Sequence, residues 1–248
     1  MDIITIATDY CPCGINIPNY DDIRENLGFK NVYLNNSSKN YFISSKHFST
    51  EEQRNILDQN HSRCQEIFVG GHELLGHGSG KLIYRSADGT IPYTFVDPLT
   101  GENFQSCYEQ GEDWNGKFGD ISCAYEECRA DTCSLYLCTI PQVCSLFGFN
   151  PENEEEIKTM LWVNVMNQVR RGVAGLSCFN VEMGTFGEAH RWGEFVSTLF
   201  LYENQTGGPT EGRLLKFEVK EDEFLIHLDK ELLWTEGREV IRKLLVIL

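Results

Sequence analysis

His72-Glu73-Leu74-Leu75-Gly76-His77 puts two imidazoles and a carboxylate into one short stretch of an otherwise apolar segment. Neutral imidazole is a common metal ligand and an adjacent carboxylate is a candidate general base, so these residue types suit metal-assisted hydrolysis. The spacing is unusual. At about 100° per residue, a separation of five sets the rings roughly 140° apart on an ideal helix, where a separation of four sets them about 40° apart. Both histidines reach one ion only if the helix absorbs the extra residue as a wide turn or π-bulge, a distortion often found at functional sites. Gly76, the least hindered residue, lies inside that interval. The plainer reading is that two histidines near a helix end are capping or packed side chains, so a metal site needs a third ligand.

A third ligand is available in Glu126-Glu127-Cys128-Arg129-Ala130-Asp131. Glu127 and Asp131 are four apart and share a helical face, so one carboxylate can bind a metal while the other orients a ligating histidine from behind. By themselves these residues read as a solvated charged face with an Arg129 salt bridge. Together with the first segment they point to a site of two histidines and one carboxylate.

The elements that must position these groups are mostly helical. Thr50 can cap a helix running to about Asn60, and a second helix is expected over Ile67 to Leu75, broken by Gly78-Ser79-Gly80. The polar, Pro- and Gly-containing span 85–120 reads as a long loop with one hairpin at most. Apolar residues spaced by three and four predict helices over Ile121 to Leu137, Glu154 to Cys178 and Thr185 to Tyr202. Leu214 to Val219 and Phe224 to Leu228 form a hairpin pattern before a last helix from about Asp229. Residues 1–45 mix β-prone runs, Ile3 to Ile6 and Val32 to Leu34, with the turn-rich segment Gly14 to Asp22, and read as loop and edge strand.

Composition narrows the function classes. Hydrophobic residues at 41% and charged residues at 23% are ordinary for a packed, soluble chain of 248 residues. A formal charge of -16 repels a phosphate backbone, so no nucleic-acid partner is expected. No basic, then apolar, segment opens the chain, so no signal peptide is expected. The apolar run Leu244 to Leu248 is far shorter than the roughly 20 residues that span a bilayer, so no membrane partner is expected either. The ten cysteines do not fall into paired Cys-x-x-Cys ligands: Cys123, Cys128, Cys133 and Cys138 recur every five residues, and Cys11-Pro12-Cys13 lacks a second pair. Free buried thiols in a reducing cytoplasm are the expectation.

His-Glu-Leu-Leu-Gly-His followed by Glu-Glu-Cys-Arg-Ala-Asp resembles the pair of motifs that marks the dipeptidyl peptidase III family of zinc metallopeptidases. The likeness extends, in order, through Gly14 to Asp22, Gly78 to Leu82, Pro141-Gln142-Val143, Phe147-Gly148-Phe149 and Ala189-His190, and so covers nearly the whole chain. It implies a mainly α fold: the helical upper, catalytic domain with small β elements and long loops, without the family's lower domain, residues 1–45 belonging to the interdomain region. It implies one zinc ion held by His72, His77 and Glu127, with Glu73 as general base on the zinc-bound water and His190 as donor to the oxyanion. Asp131 stands where the family usually has Glu, with the same charge on a shorter side chain, behind a ligating histidine. Asn16 and Asn19 match asparagines that help hold a substrate's amino terminus, an arrangement suited to release of dipeptides from short peptides.

The family's enzyme is much longer, and its lower domain, which supplies further substrate-binding residues, precedes the region matched here. A catalytically weak metal-binding fragment acting as a binding or regulatory module is therefore the alternative reading. In Pro98-Leu99-Thr100-Gly101-Glu102, Leu99 replaces the first Glu of an acidic motif with which some members dock a kelch-domain adaptor, so that partner is not expected.

Overall fold

Every residue from Met160 to Arg170 is buried, on all faces of one helix. The structure, a computed structural model, describes residues 14–17, 23, 26–33, 47–93, 96, 100–104, 106–207, 212–221 and 223–248. Helix α1 (Glu51–Gly71) continues as a π-helical turn, His72–Gly76, and a 3-10 turn, His77–Ser79. Then follow α2 (Trp114–Phe118), α3 (Ser122–Leu137), α4 (Pro141–Leu146), the central α5 (Glu154–Gly175) and α6 (Ala189–Asn204). The chain closes with α7 (Lys230–Leu232), a second π turn (Leu233–Gly237) and α8 (Arg238–Ile247). Among the described residues, three antiparallel hairpins accompany them: β1 (Gly14–Ile17) with β2 (Lys30–Tyr33), β3 (Phe179–Asn180) with β4 (Thr185–Phe186), and β5 (Leu215–Lys220) with β6 (Glu223–Leu228). The architecture is mainly α, with small β elements and long connections.

Local signals start the helices. Thr50 accepts from Gln53 N–H while the Gln53 side chain accepts from Thr50 N–H, a capping box that satisfies two otherwise orphaned donors. Asn153 caps α5, and Glu154, Glu155 and Glu156 fill its first turn, where negative charge meets the positive end of the helix dipole. Tertiary packing sets the lengths. The two helices expected before Gly78 are one, because Leu57, Cys64, Ile67 and Phe68 form a single buried stripe that carries the helix through polar Asn60 to Arg63.

Three other expectations are corrected. Thr185-Phe186 belongs to the short hairpin β3–β4 and α6 begins only at Ala189, where the Glu188 side chain caps it. Gly14 to Ile17, read as turn-rich, pairs with β2 in the register Ile15 opposite Val32. The span 85–120 contains α2, started by Asp113, whose side chain accepts from Gly116 N–H. The β-prone run Ile3 to Ile6, Asn19 and Leu99 lie outside the described residues.

Helix α6 packs on both α5 and α3, α1 lies against α3 and α5, and α8 covers α3. The β5–β6 hairpin is fastened to the central helix where Trp162 Nε1 donates to Leu228 O at 2.8 Å. All described cysteines are free; Cys64, Cys128, Cys138 and Cys144 are buried, while Cys123 and Cys178 are exposed. Burial pushes the Cys64 and Cys128 thiols up to about 12, so both are inert packing groups. No helix among the described residues is long and apolar enough to cross a membrane.

The α3–α6 crossing, which brings two parts of the site together, depends on Gly193. A Cβ there would stand 2.9 Å from Cys128 N and 3.1 Å from Ala124 O, both backbone atoms that cannot swing aside. Gly193→Ala is expected to lower unfolding stability by about 1–3 kcal/mol, read as a lower urea midpoint at unchanged slope. An unchanged midpoint would show that the two helices separate at no cost.

Candidate metal centre

The five-residue interval between the histidines is absorbed as the periodicity argument requires. His77 N–H donates to His72 O, an i to i+5 bond that widens the turn by one residue. The two rings, roughly 140° apart on an ideal helix, meet edge to face instead, with centroids 4.6 Å apart and planes 88° to one another. Gly76 allows the wide turn to sit on α3: a Cβ there would be 2.7 Å from Ala130 Cα. Arg129 Nη2 donates to Gly76 O at 2.7 Å, and Asn16 Nδ2 donates to Glu73 O at 2.9 Å, so carbonyls of the distorted segment find partners in other elements.

Helix α3 supplies the carboxylates. Glu127 Oε2 lies 3.3 Å from His72 Nε2 and 3.6 Å from His77 Nε2. Asp131 Oδ1 is 2.8 Å from His72 Nδ1, and Glu126 Oε1 is 3.1 Å from His77 Nδ1. With both Nδ1 atoms facing acceptors, the Nδ1–H tautomer is favoured and each Nε2 lone pair turns toward Glu127. Sequence reasoning singled out Asp131 but gave Glu126 no role. Its only signal was its position beside Glu127, and Arg129, which grips Glu126 through Nη2 at 2.7 Å, leaves it free to serve His77 as well.

His72, His77 and Glu127 together offer one ligand atom each, all within 4.8 Å of one another. Three donors about 2.0–2.1 Å from one tetrahedral ion stand roughly 3.4 Å apart, close to the Glu127 separations. Glu127 Oε2 is buried and has no hydrogen-bond partner among the described residues, an unmet acceptor that a bound cation would satisfy. The donor set therefore fits a divalent metal.

The remaining candidates surround this cluster. Glu73 is 8% exposed; burial raises its carboxyl above the usual range against the pull of the nearby imidazoles. His190, in the first turn of α6, brings Nε2 to 3.3 Å from Glu127 Oε2, while its Nδ1 lies 2.7 Å from Glu188 Oε1. Burial lowers its affinity for a proton, but the Glu188 bond and the Glu127 charge prevail and carry its pKa to about 9. Burial likewise opposes the charge on Asp131, yet the bond to His72 holds it at about 2. Glu188 is a further residue that sequence reasoning did not assign; it both caps α6 and holds the His190 ring. Asn16 is buried on β1, donating also to Asn31 Oδ1 at 2.7 Å, and its own Oδ1 has no hydrogen-bond partner among the described residues.

The family model of peptidase family M49 matches residues 1–248. Dipeptidyl peptidase 3 of Rattus norvegicus is 36% identical over 255 residues, covering 99% of this chain and 34% of that protein. Dipeptidyl peptidase 3 of Nematostella vectensis is 39% identical over 207 residues, covering 82% of this chain and 28% of that protein. A solved structure of DPP III from Caldithrix abyssi aligns with a TM-score of 0.49 at 18% identity, over 95% of this chain and 36% of that one. This chain thus spans about a third of the length of the curated relatives it matches. The paired motifs, their convergence on one three-ligand cluster and the match along the whole chain agree: the chain belongs to peptidase family M49.

Proposed function

We propose that this chain is the zinc-binding catalytic domain of an exopeptidase that releases dipeptides from the amino termini of short peptides in the cytoplasm, residues 1–45 forming its interdomain edge. The observation that carries this reading is Glu127 Oε2, buried beside two imidazole nitrogens and without a hydrogen-bond partner among the described residues. His72, His77 and Glu127 would hold the zinc, with Asp131 and Glu126 fixing the two imidazoles from behind. Bound zinc supplies Lewis acidity, which lowers the pKa of water toward about 7 and polarises a peptide carbonyl.

The protein's own groups then do the proton work. Glu73, whose burial raises its carboxyl, takes the proton of the attacking water and returns it to the leaving amine. His190, its Nδ1 anchored on Glu188, presents Nε2 as a donor to the developing oxyanion. Asn16 Oδ1, without a hydrogen-bond partner among the described residues, accepts from the substrate's terminal ammonium, and the resemblance gives Asn19 a share of that role. Holding the ammonium at a fixed distance from the scissile carbonyl is what sets a two-residue product.

Metal analysis of the purified chain is expected to find about one zinc per molecule, lost in Glu127→Ala; a metal-free wild type would refute the site. With a chromogenic dipeptidyl substrate, Glu73→Gln should lower kcat by roughly 10²–10⁴ at unchanged zinc content. His190→Ala should lower it about 10², and an unchanged kcat with altered stability alone would remove His190 from the mechanism. Zinc binding without turnover by the wild type would leave the metal centre standing and defeat the dipeptide-release reading.

A further inference from the structure

Asp131 is a short carboxylate with two tasks. Its Oδ1 holds His72 Nδ1 at 2.8 Å, and the direction of that contact is governed by χ2, a soft and nearly two-fold torsion in aspartate. Something must hold the other oxygen if the His72 ring is to stay in one plane. That something is Gln168 of α5: its Nε2 donates to Asp131 Oδ2 at 2.9 Å and to Ser197 Oγ at 3.0 Å, one hydrogen for each. Gln168 is 2% exposed and lies outside the motifs that mark the site.

The orientation of the Gln168 amide is forced. Arg171 Nη2 approaches Gln168 Oε1 at 2.8 Å, and a guanidinium has donors only, so the amide oxygen must face Arg171 and its NH2 must face Asp131. Arg171 is held in turn by an ion pair through Nε to Glu194, which also takes Arg191 Nη1 at 2.9 Å. The row Glu194, Arg171, Gln168, Asp131, His72 thus runs from α6 through α5 and α3 to the π turn after α1. Every polar end in it is matched to one of opposite kind.

We propose that Gln168 is a positioning residue of the metal centre: it locks the Asp131 carboxylate and, through it, the plane and tautomer of His72. This rests on the metal-centre reading above and assigns to α5 a part in tuning metal affinity. A purely structural Gln168 would merely satisfy buried polar groups between α5 and α6.

The test is a comparison of the wild type, Gln168→Met, Asp131→Ala and the double variant. It uses zinc affinity by chelator competition, the visible spectrum of the cobalt(II)-loaded chain, and the melting temperature of the metal-free chain. Gln168→Met keeps the length of the side chain and removes the donor; Gln168→Asn, which withdraws the amide by one methylene, serves as the second variant if the first does not fold. Zinc affinity is expected to fall about tenfold or more with a shifted cobalt band. The fall should vanish when Asp131 is already Ala, because both changes then act on the same link. Unchanged zinc affinity and cobalt spectrum beside a lowered melting temperature would overturn the positioning role, as would losses that simply add. A wild type that binds neither zinc nor cobalt would instead overturn the metal-centre reading, and this inference with it.

Discussion

One backbone hydrogen bond, His77 N–H to His72 O, is the constraint on which the site depends. It replaces the ordinary i to i+4 closure and so turns a spacing of five, which sends side chains to different faces, into one that brings two imidazoles together. A wide turn weakens the helical ladder, and the structure repairs it from far away in sequence. Arg129 takes Gly76 O, Asn16 takes Glu73 O, and the bare Cα of Gly76 lets the segment lie against Ala130. The distortion persists because other elements hold it.

The carboxylates of α3 around that turn are hydrogen-bonded with one exception. Glu126 is met by Arg129 and His77, and Asp131 by His72 and Gln168. Among these α3 carboxylates only Glu127 Oε2 is left buried without a hydrogen-bond partner, at the point where three imidazoles approach. An acceptor left without a hydrogen bond in a buried place is one that a bound cation would satisfy, which would couple metal binding to folding.

The scaffold works by close approach. Helix α6 carries His190 and reaches α3 through Gly193, whose missing side chain brings the backbones together. The central α5 is buried on all faces from Met160 to Arg170, and among the polar side chains of that stretch Gln168 meets the carboxylate behind His72. The geometry of the candidate metal ligands therefore draws on helices that carry neither of the two motifs.

Much of this was legible in the sequence. The two motifs named His72, His77 and Glu127, the helical period placed α3 and α5, and Thr50 marked the start of α1, because ligand chemistry, periodicity and capping are local properties. Even the widened turn followed from the spacing of five, given that both rings must reach one ion. Other features were not legible: that α1 runs unbroken through Asn60 to Arg63, that Gly14 to Ile17 pairs as a strand, that Glu126 serves His77, and that Gln168 stands behind Asp131. Each of these depends on a partner elsewhere in the chain: the buried surface under α1, the strand β2, the ring of His77, the carboxylate of Asp131. Sequence by itself determined which groups can do chemistry and which segments coil. Tertiary structure decided which of those groups meet, because packing and long-range hydrogen bonds join residues whose separation along the chain leaves no periodic trace.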